Sequence, residues 1–309
     1  MRKSGIIHLR CRQTPKAYTG KSTLETGVCS LVKKRLKSEG ENLSEMEKHC
    51  SLVLEEMTIG PGEEYIPQLD KFVGKVDMGG IIDPNDSTKL ATKMLGYILV
   101  GLSTYYKIPV AFFLVNQLTA KEQEALTVQV IKDVEGCGCG FKIERLVCDN
   151  LAVNTNMIKR MNGGTLHHVI RHPVQKYNEE EISSIPLVYR LLFLSFDYCH
   201  VTKKVRNQLL ERKLEIKGNP VTGQFTVRLF EEQTGELLTP EVDDIVKRMP
   251  DGTKEEKDAI KEAKKKFLTH ETYEALTFTT SSTVACIRHL LQELGFKYVL
   301  TRCCKLTVR

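Results

Sequence analysis

Three acidic positions share one context. Ser51-Leu52-Val53-Leu54 is a short apolar run that stops at Glu55-Glu56, Phe141–Asp149 is a second that ends in a carboxylate, and Leu187–Phe196 is a third that ends at Asp197. Runs of this length between polar segments predict buried strands. In an α/β sheet, the ends of the strands face the crevice where ligands bind. Two or three carboxylates converging there could hold two divalent ions about 4 Å apart, which clamp the attacking and leaving oxygens of a phosphoryl transfer. Acids at strand ends also serve as solubilising caps, and Asp197 stands where it could cap the following helix. The pattern alone leaves these readings open.

Other reactive groupings carry less. Gly20-Lys21-Ser22-Thr23 imitates the end of a phosphate-binding loop, but Pro15 occupies the place of the first glycine and no strand precedes it. Gly136-Cys137-Gly138-Cys139-Gly140 has one residue between its thiols, whereas structural zinc pairs usually have two to four. Cys148, His167, His168, His172, Cys199 and His200 form no second pair of the right spacing. The Cys137–Cys139 segment therefore reads as a Gly-rich turn, and His167, His168 and His172 as surface or turn histidines.

The elements that must position the acids follow from periodicity. A short helix is expected near Leu31–Leu36, and an arm or hairpin over residues 64–82. Strands are expected at Leu95–Leu102 and Val110–Val115, with Pro109 between them. Thr119-x-x-Glu122 is a capping box, and Leu126, Val130 and Val134 form the stripe of the helix it opens. Gly136 supplies its stop. Residues 151–161 predict a helix ending at Asn162-Gly163-Gly164, and His200–Lys213 a basic one. Lys254–Lys266 reads as a charged helix with a solvated face. Ser282 is expected to cap a helix with Val284, Ile287, Leu291 and Leu294 inside, and Phe296–Thr301 reads as a last strand. Strands followed by strand–helix alternation give an α/β fold with a mixed sheet.

Composition sets the outer bounds. The 309 residues are 41% hydrophobic and 27% charged, which excludes a disordered, collagen-like or coiled-coil chain. No run reaches the roughly 18 apolar residues of a membrane helix, so no membrane partner is expected. The basic N-terminus lacks the apolar core of a signal peptide. Ten scattered cysteines without such a signal predict reduced thiols inside the cell. The net charge of +6 is compatible with nucleic acid without requiring it.

Longer strings add a resemblance. Leu52-Val-Leu-Glu-Glu-Met-Thr-Ile59 resembles the first catalytic strand of P-element-type transposases, a group that often carries an N-terminal THAP zinc domain, and Phe72-Val-Gly74 fits the arm after it. Leu146-Val-Cys-Asp-Asn, with Asn154 five residues after the Asp, resembles the second catalytic strand. Phe196-Asp-x-x-His-x-x-Lys-x-x-Arg-Asn207 resembles the family's helix entry, and Glu274-Ala-Leu276 through Gly295-Phe-Lys-Tyr-Val-Leu-Thr301 the stretch before the third motif.

The resemblance implies a ribonuclease-H-like mixed sheet flanked by helices, with a mainly helical insertion and C-terminal region. It implies that two Asp and one Glu bind two Mg²⁺ for DNA cleavage and strand transfer, and that the insertion binds GTP. Glu55 matches the first acid, as Glu in place of Asp, and Asp149 the second. Glu56, Asn154, Asp197 and His200 are accessory candidates, and Lys203, Lys204 and Arg206 are candidate phosphate contacts. No nucleotide-binding residue is assigned. The third Glu is expected in an Asp-Pro-x-Glu string directly after Thr301, where the chain reads Arg302-Cys-Cys-Lys-Leu-Thr-Val-Arg309. The expectation is a truncated, transposon-derived chain with a basic segment over 1–50, the catalytic core over 51–207, part of the insertion over 208–302 and an unpatterned tail over 303–309. It is expected to be catalytically weak or inactive, to bind DNA weakly and without sequence preference, to associate with full-length relatives, and to be nuclear. The alternatives are an active Mg²⁺-dependent nuclease in which Glu56 or Asp197 replaces the missing acid, and a non-catalytic basic DNA- or protein-binding module.

Overall fold

The computed structural model describes residues 25–67, 70–84, 86, 88–174, 190–211, 215–216, 219–220 and 268–300. Its framework is a six-stranded sheet. In chain order the helices are α1 (Ser30–Glu41), α2 (Ala120–Gly136), α3 (Ala152–Met161), α4 (Tyr198–Glu211) and α5 (His270–Arg288). The strands are β1 (His49–Thr58), β2 (Glu64–Ile66), β3 (Lys71–Val73), β4 (Lys93–Gly101), β5 (Lys107–Val115), β6 (Lys142–Cys148), β7 (Val169–Arg171), β8 (Leu191–Phe196), β9 (Glu215–Ile216) and β10 (Asn219–Pro220). The large sheet has the order β5-β4-β1-β6-β8-β7. β5, β4 and β1 form an antiparallel meander, β1, β6 and β8 run parallel, and β7 closes the far edge antiparallel. This is a ribonuclease-H-like mixed sheet flanked by helices, with a helical C-terminal region.

The central strands bury both faces, which is why they read as nearly continuous apolar runs. Cys50, Leu52 and Leu54 of β1 meet Val32 and Leu36 of α1, Leu126, Val130 and Val134 of α2, and Met157 and Ile158 of α3. On the opposite face, Val53 clusters with Val100 and Val147, while α5 covers β6 and β8. α4 packs on α5 through Val205, Leu268, Tyr273 and Leu276.

The far end of the sheet, away from the acids, is tied by a buried ionic group. His49 Nδ1 lies 2.9 Å from Glu144 Oε1, and Arg190 donates to Glu135 at 2.7 Å and to Glu144 at 3.2 Å. Burial works to raise the Glu144 pKa, but the His49 hydrogen bond and the Arg190 charge outweigh it and hold the carboxyl below its ordinary value. His172, expected at the surface, is 3% exposed. Its Nε2 donates to the Ile143 carbonyl at 3.0 Å and its Nδ1 accepts the Val174 N–H at 3.1 Å. With both nitrogens used in this way the neutral ring is favoured, and burial lowers its pKa.

Several elements differ from expectation. β1 continues past Glu55-Glu56 to Thr58, because the antiparallel partner β4 still pairs there after the parallel partner has turned away. Pro109 lies inside β5, not between strands. β5 is an edge strand, and a register shift opposite the proline absorbs its missing N–H. β7 was not anticipated. Ser282 is not a cap: α5 begins twelve residues earlier, with Thr269 accepting the Thr272 N–H. The buried face of α5 is Thr272, Ala275, Phe278, Thr279, Ser282 and Cys286, whereas Val284 and Leu291 are exposed. Small polar residues form the inner stripe, so hydrophobic periodicity selects the wrong side. Phe296–Thr301, expected as a strand, is not one over its described residues, 296–300; Phe296 lies edge-on to His49, and the Leu300 N–H donates to the Leu102 carbonyl at 2.7 Å. β8 starts at Leu191 and α4 at Tyr198. The expected features at residues 20–23, 187–189, 212–213 and 254–266, and Arg302 to Arg309, lie outside the described residues.

Candidate functional site

The register of the parallel strands sets the three acids at one level. Val53 pairs with Val147, and Cys148 with Phe196. Counting on, Glu55 stands two residues beyond its last pair, as does Asp149, and Asp197 directly follows β8 with its N–H on the Cys148 carbonyl at 2.7 Å. Alternation puts Glu55 and Asp149 on the face of Val53 and Val147.

Glu55 is half-buried. Desolvation raises its carboxyl pKa; the charge of His200 pulls it down, and those of Asp197 and Asp149 push it further up. The four groups thus share one electrostatic neighbourhood, and among the described residues no charge-assisted hydrogen bond fixes Glu55 as an anion.

Asp149 is held from below. Its Oδ1 accepts the Leu151 N–H at 3.1 Å and the Asn154 amide at 2.5 Å. Asn154, buried on the first turn of α3, in turn accepts the Gln123 side-chain amide from α2. Gln123 and Asn154 form an amide relay that fixes the rotamer of Asp149. Gln123 is a positioning residue absent from the sequence-based list. Its one signal is a polar side chain three residues before Leu126 on the inner stripe of α2.

Asp197 is fully buried and both its oxygens are engaged. Oδ1 accepts the Cys199 N–H at 3.1 Å, and Oδ2 faces His200 Nδ1 at 2.7 Å. It caps α4 and orients His200. Glu56 points to the opposite face and pairs with Lys93 at 2.6 Å, on the wall of a crevice of about 690 Å³.

The basic candidates flank this level. Lys203, Lys204 and Arg206 lie exposed on α4, whose Val201 and Val205 face inward. Lys204 Nζ reaches the carbonyl of Asn150, one residue past Asp149, at 3.4 Å. A cationic helix face therefore borders the carboxylates.

Mg²⁺ demands near-octahedral oxygen coordination. Among the described residues, no group of three or more His, Cys, Asp or Glu side chains is gathered closely enough to hold a metal ion. Glu55 and one oxygen of Asp149 are the carboxylate oxygens without a hydrogen-bonded partner there, because the Asp197 pair is committed to the α4 terminus and His200. Among the described residues, this donor set does not by itself complete a two-ion site.

Three comparisons bear on this arrangement. Residues 24–162 match the model of the TNP-like, RNase H N-terminal domain. Human DNA transposase THAP9 is 24% identical over 210 residues, 65% of this chain and 21% of that protein, so the chain spans about a fifth of that relative's length. The Drosophila P element transposase strand transfer complex shares the fold with a TM-score of 0.58 at 13% identity, covering 96% of this chain and 77% of that one. Together, the order of the sheet and these matches make residues 24–162 similar to the RNase H-like domain of P-element-type transposases.

Proposed function

We propose that this chain is a DNA-binding, transposon-derived RNase H-like domain that cleaves and joins DNA weakly or not at all. The observation carrying the second half is the commitment of Asp197, whose two oxygens serve Cys199 and His200 and leave two carboxylates at the strand ends. Glu55 stands where the resemblance expects Asp. The extra methylene moves the carboxylate by up to about 1.5 Å, and a misplacement near 1 Å can cost about 100-fold in rate. Glu56 offers no direct replacement, being turned to the other face and paired with Lys93.

The DNA half rests on the relatives, one a DNA transposase and one solved in a strand transfer complex, and on the cationic face of α4 beside the acids. In this reading Lys203, Lys204 and Arg206 contact phosphates, and binding is insensitive to sequence. Association with full-length relatives and a nuclear location belong to the same reading. Guanine-nucleotide binding is weak or absent, since the sequence assigns no phosphate loop to residues 208–302.

Fluorescence anisotropy of a labelled duplex across salt concentrations tests the DNA half. The expected log–log plot of affinity against salt is linear and steep, and Lys203→Ala, Lys204→Ala or Arg206→Ala each flattens it by about one counterion. A strong preference for one duplex sequence at about 0.15 M salt would contradict phosphate-led binding.

A further inference from the structure

Between the sheet and α5 lies a polar cluster that the acid site does not use. Arg145, on β6, is 3% exposed, and none of the ion pairs among the described residues involves it. Its Nη2 donates to the hydroxyls of Ser195 at 2.8 Å and Thr283 at 2.7 Å. Both hydroxyl protons are already placed, Ser195 on the Phe196 carbonyl at 2.9 Å and Thr283 on the Thr279 carbonyl at 2.7 Å. Five buried side-chain atoms have no hydrogen-bond partner among the described residues: four are Arg145 Nε and the hydroxyl oxygens of Ser51, Thr279 and Ser282, and the fifth, Glu144 Oε2, belongs to the ionic group with His49 and Arg190.

Strand register and helix spacing bring the first four atoms to the interface of the sheet with α5. Ser51 is directly across the parallel β1–β6 ladder from Arg145. Thr279, Ser282 and Thr283 are spaced i, i+3, i+4 and share the face of α5 that Thr283 turns toward Arg145. Each of the four groups at this interface can donate a proton, and the guanidinium N–H can do nothing else. A guanidinium is a cation, and a buried charge without a counter-charge is strongly unfavourable. Among the described residues, the cluster has no negative acceptor. Ser51 and Ser282 are completely buried, which favours a monatomic ion over a bulky oxyanion.

We propose that the interface of β1 and β6 with α5 binds a small monatomic anion, a halide, through Arg145, Ser51, Thr279 and Ser282. The ion neutralises Arg145 and clamps α5 to the sheet. The clamp lies four residues below the acid level on the same strands, since Ser51 and Arg145 precede Glu55 and Asp149 by that number.

The test is thermal melting of the full chain in sodium chloride against sodium gluconate at matched ionic strength. The midpoint is expected to rise with chloride and saturate, and bromide should substitute. Arg145→Met risks the fold, so the informative variant is Ser51→Ala with Ser282→Ala, which should raise the half-saturating chloride concentration about tenfold. Removing orphaned hydroxyls from an ion-free interface would instead leave the protein as stable or more so. Crystals grown in bromide should show an anomalous peak within hydrogen-bonding distance of Arg145 Nε. A chloride-independent midpoint, an unchanged chloride response in the double variant, or a water or side-chain carboxylate in place of the bromide peak would each overturn the proposal.

Discussion

Glu55 has the most informative environment of any single residue in the chain. Its folded pKa is raised, by burial first and by Asp197 and Asp149 after it. A raised carboxyl stabilises the fold below its unfolded value, near 4.5, and that contribution is lost as pH rises through the folded value. Glu55→Gln should therefore hold or gain stability at pH 7 and flatten the pH dependence above 4.5; urea unfolding at pH 4 and pH 7 measures both, and a clear loss at pH 7 would contradict it. Asp197 has a structural part instead, with both oxygens hydrogen-bonded. Asp197→Ala removes a helix cap and unpairs His200, and should cost about 1–2 kcal/mol whether or not Mg²⁺ is present. A stability loss seen only with Mg²⁺ would mark Asp197 as a metal ligand. At this scale the sequence shows a good deal. Alternation along one strand separates Glu55 from Glu56, and the position of Asp197 before a helix announces a cap. The relay from Gln123 through Asn154 to Asp149 is hidden, because its outer members are 26 residues apart in sequence and meet only when α2 packs on α3.

At the level of elements, the buried ionic group joins the ends of β1, β6, β7, β8 and α2. His172 accepts a hydrogen bond at Nδ1, so its protonation breaks that bond as well as burying a charge. Its folded pKa is depressed by burial, so the unfolded chain takes the proton first. The stability it contributes is full above about pH 6.5 and is lost as pH falls through that value toward the depressed one. Glu144, also depressed, adds a second loss at lower pH, below the ordinary glutamate value. Chemical unfolding from pH 8 to pH 4 should show stability level above about 7 and falling from about 6.5, with a shallower fall in His172→Gln. A profile that is flat through pH 6 would contradict this role. Which elements could be read in advance follows the same physics. α2 carries a capping box, an apolar stripe and a terminal glycine, all local signals, and its bounds agree with them. α5 hides Thr279 and Ser282 against Arg145 and exposes Val284, so its inner face is defined by a polar cluster on distant strands. β7 is three residues long, and its pairing with β8 carries no local pattern.

At the scale of the molecule, the order β5-β4-β1-β6-β8 brings the ends of three parallel strands to one level and lays the cationic face of α4 beside them. The sequence conveys this architecture through the apolar runs that end in acid, and through strings that resemble one family. It does not convey how each acid is used, because that depends on partners from α2, α4 and β4. In the proposed reading, one of the three acids at the strand ends is committed to a helix cap, and Glu55 stands where the resemblance expects Asp. These defects fall on one site, so their effects should not add, and repair of Glu55 to Asp alone should do little. The measurement that tests this most directly is nicking of supercoiled plasmid by the purified chain in Mg²⁺. The account predicts no nicking above the level of the Asp149→Ala variant, and robust Mg²⁺-dependent nicking that Asp149→Ala abolishes would contradict it.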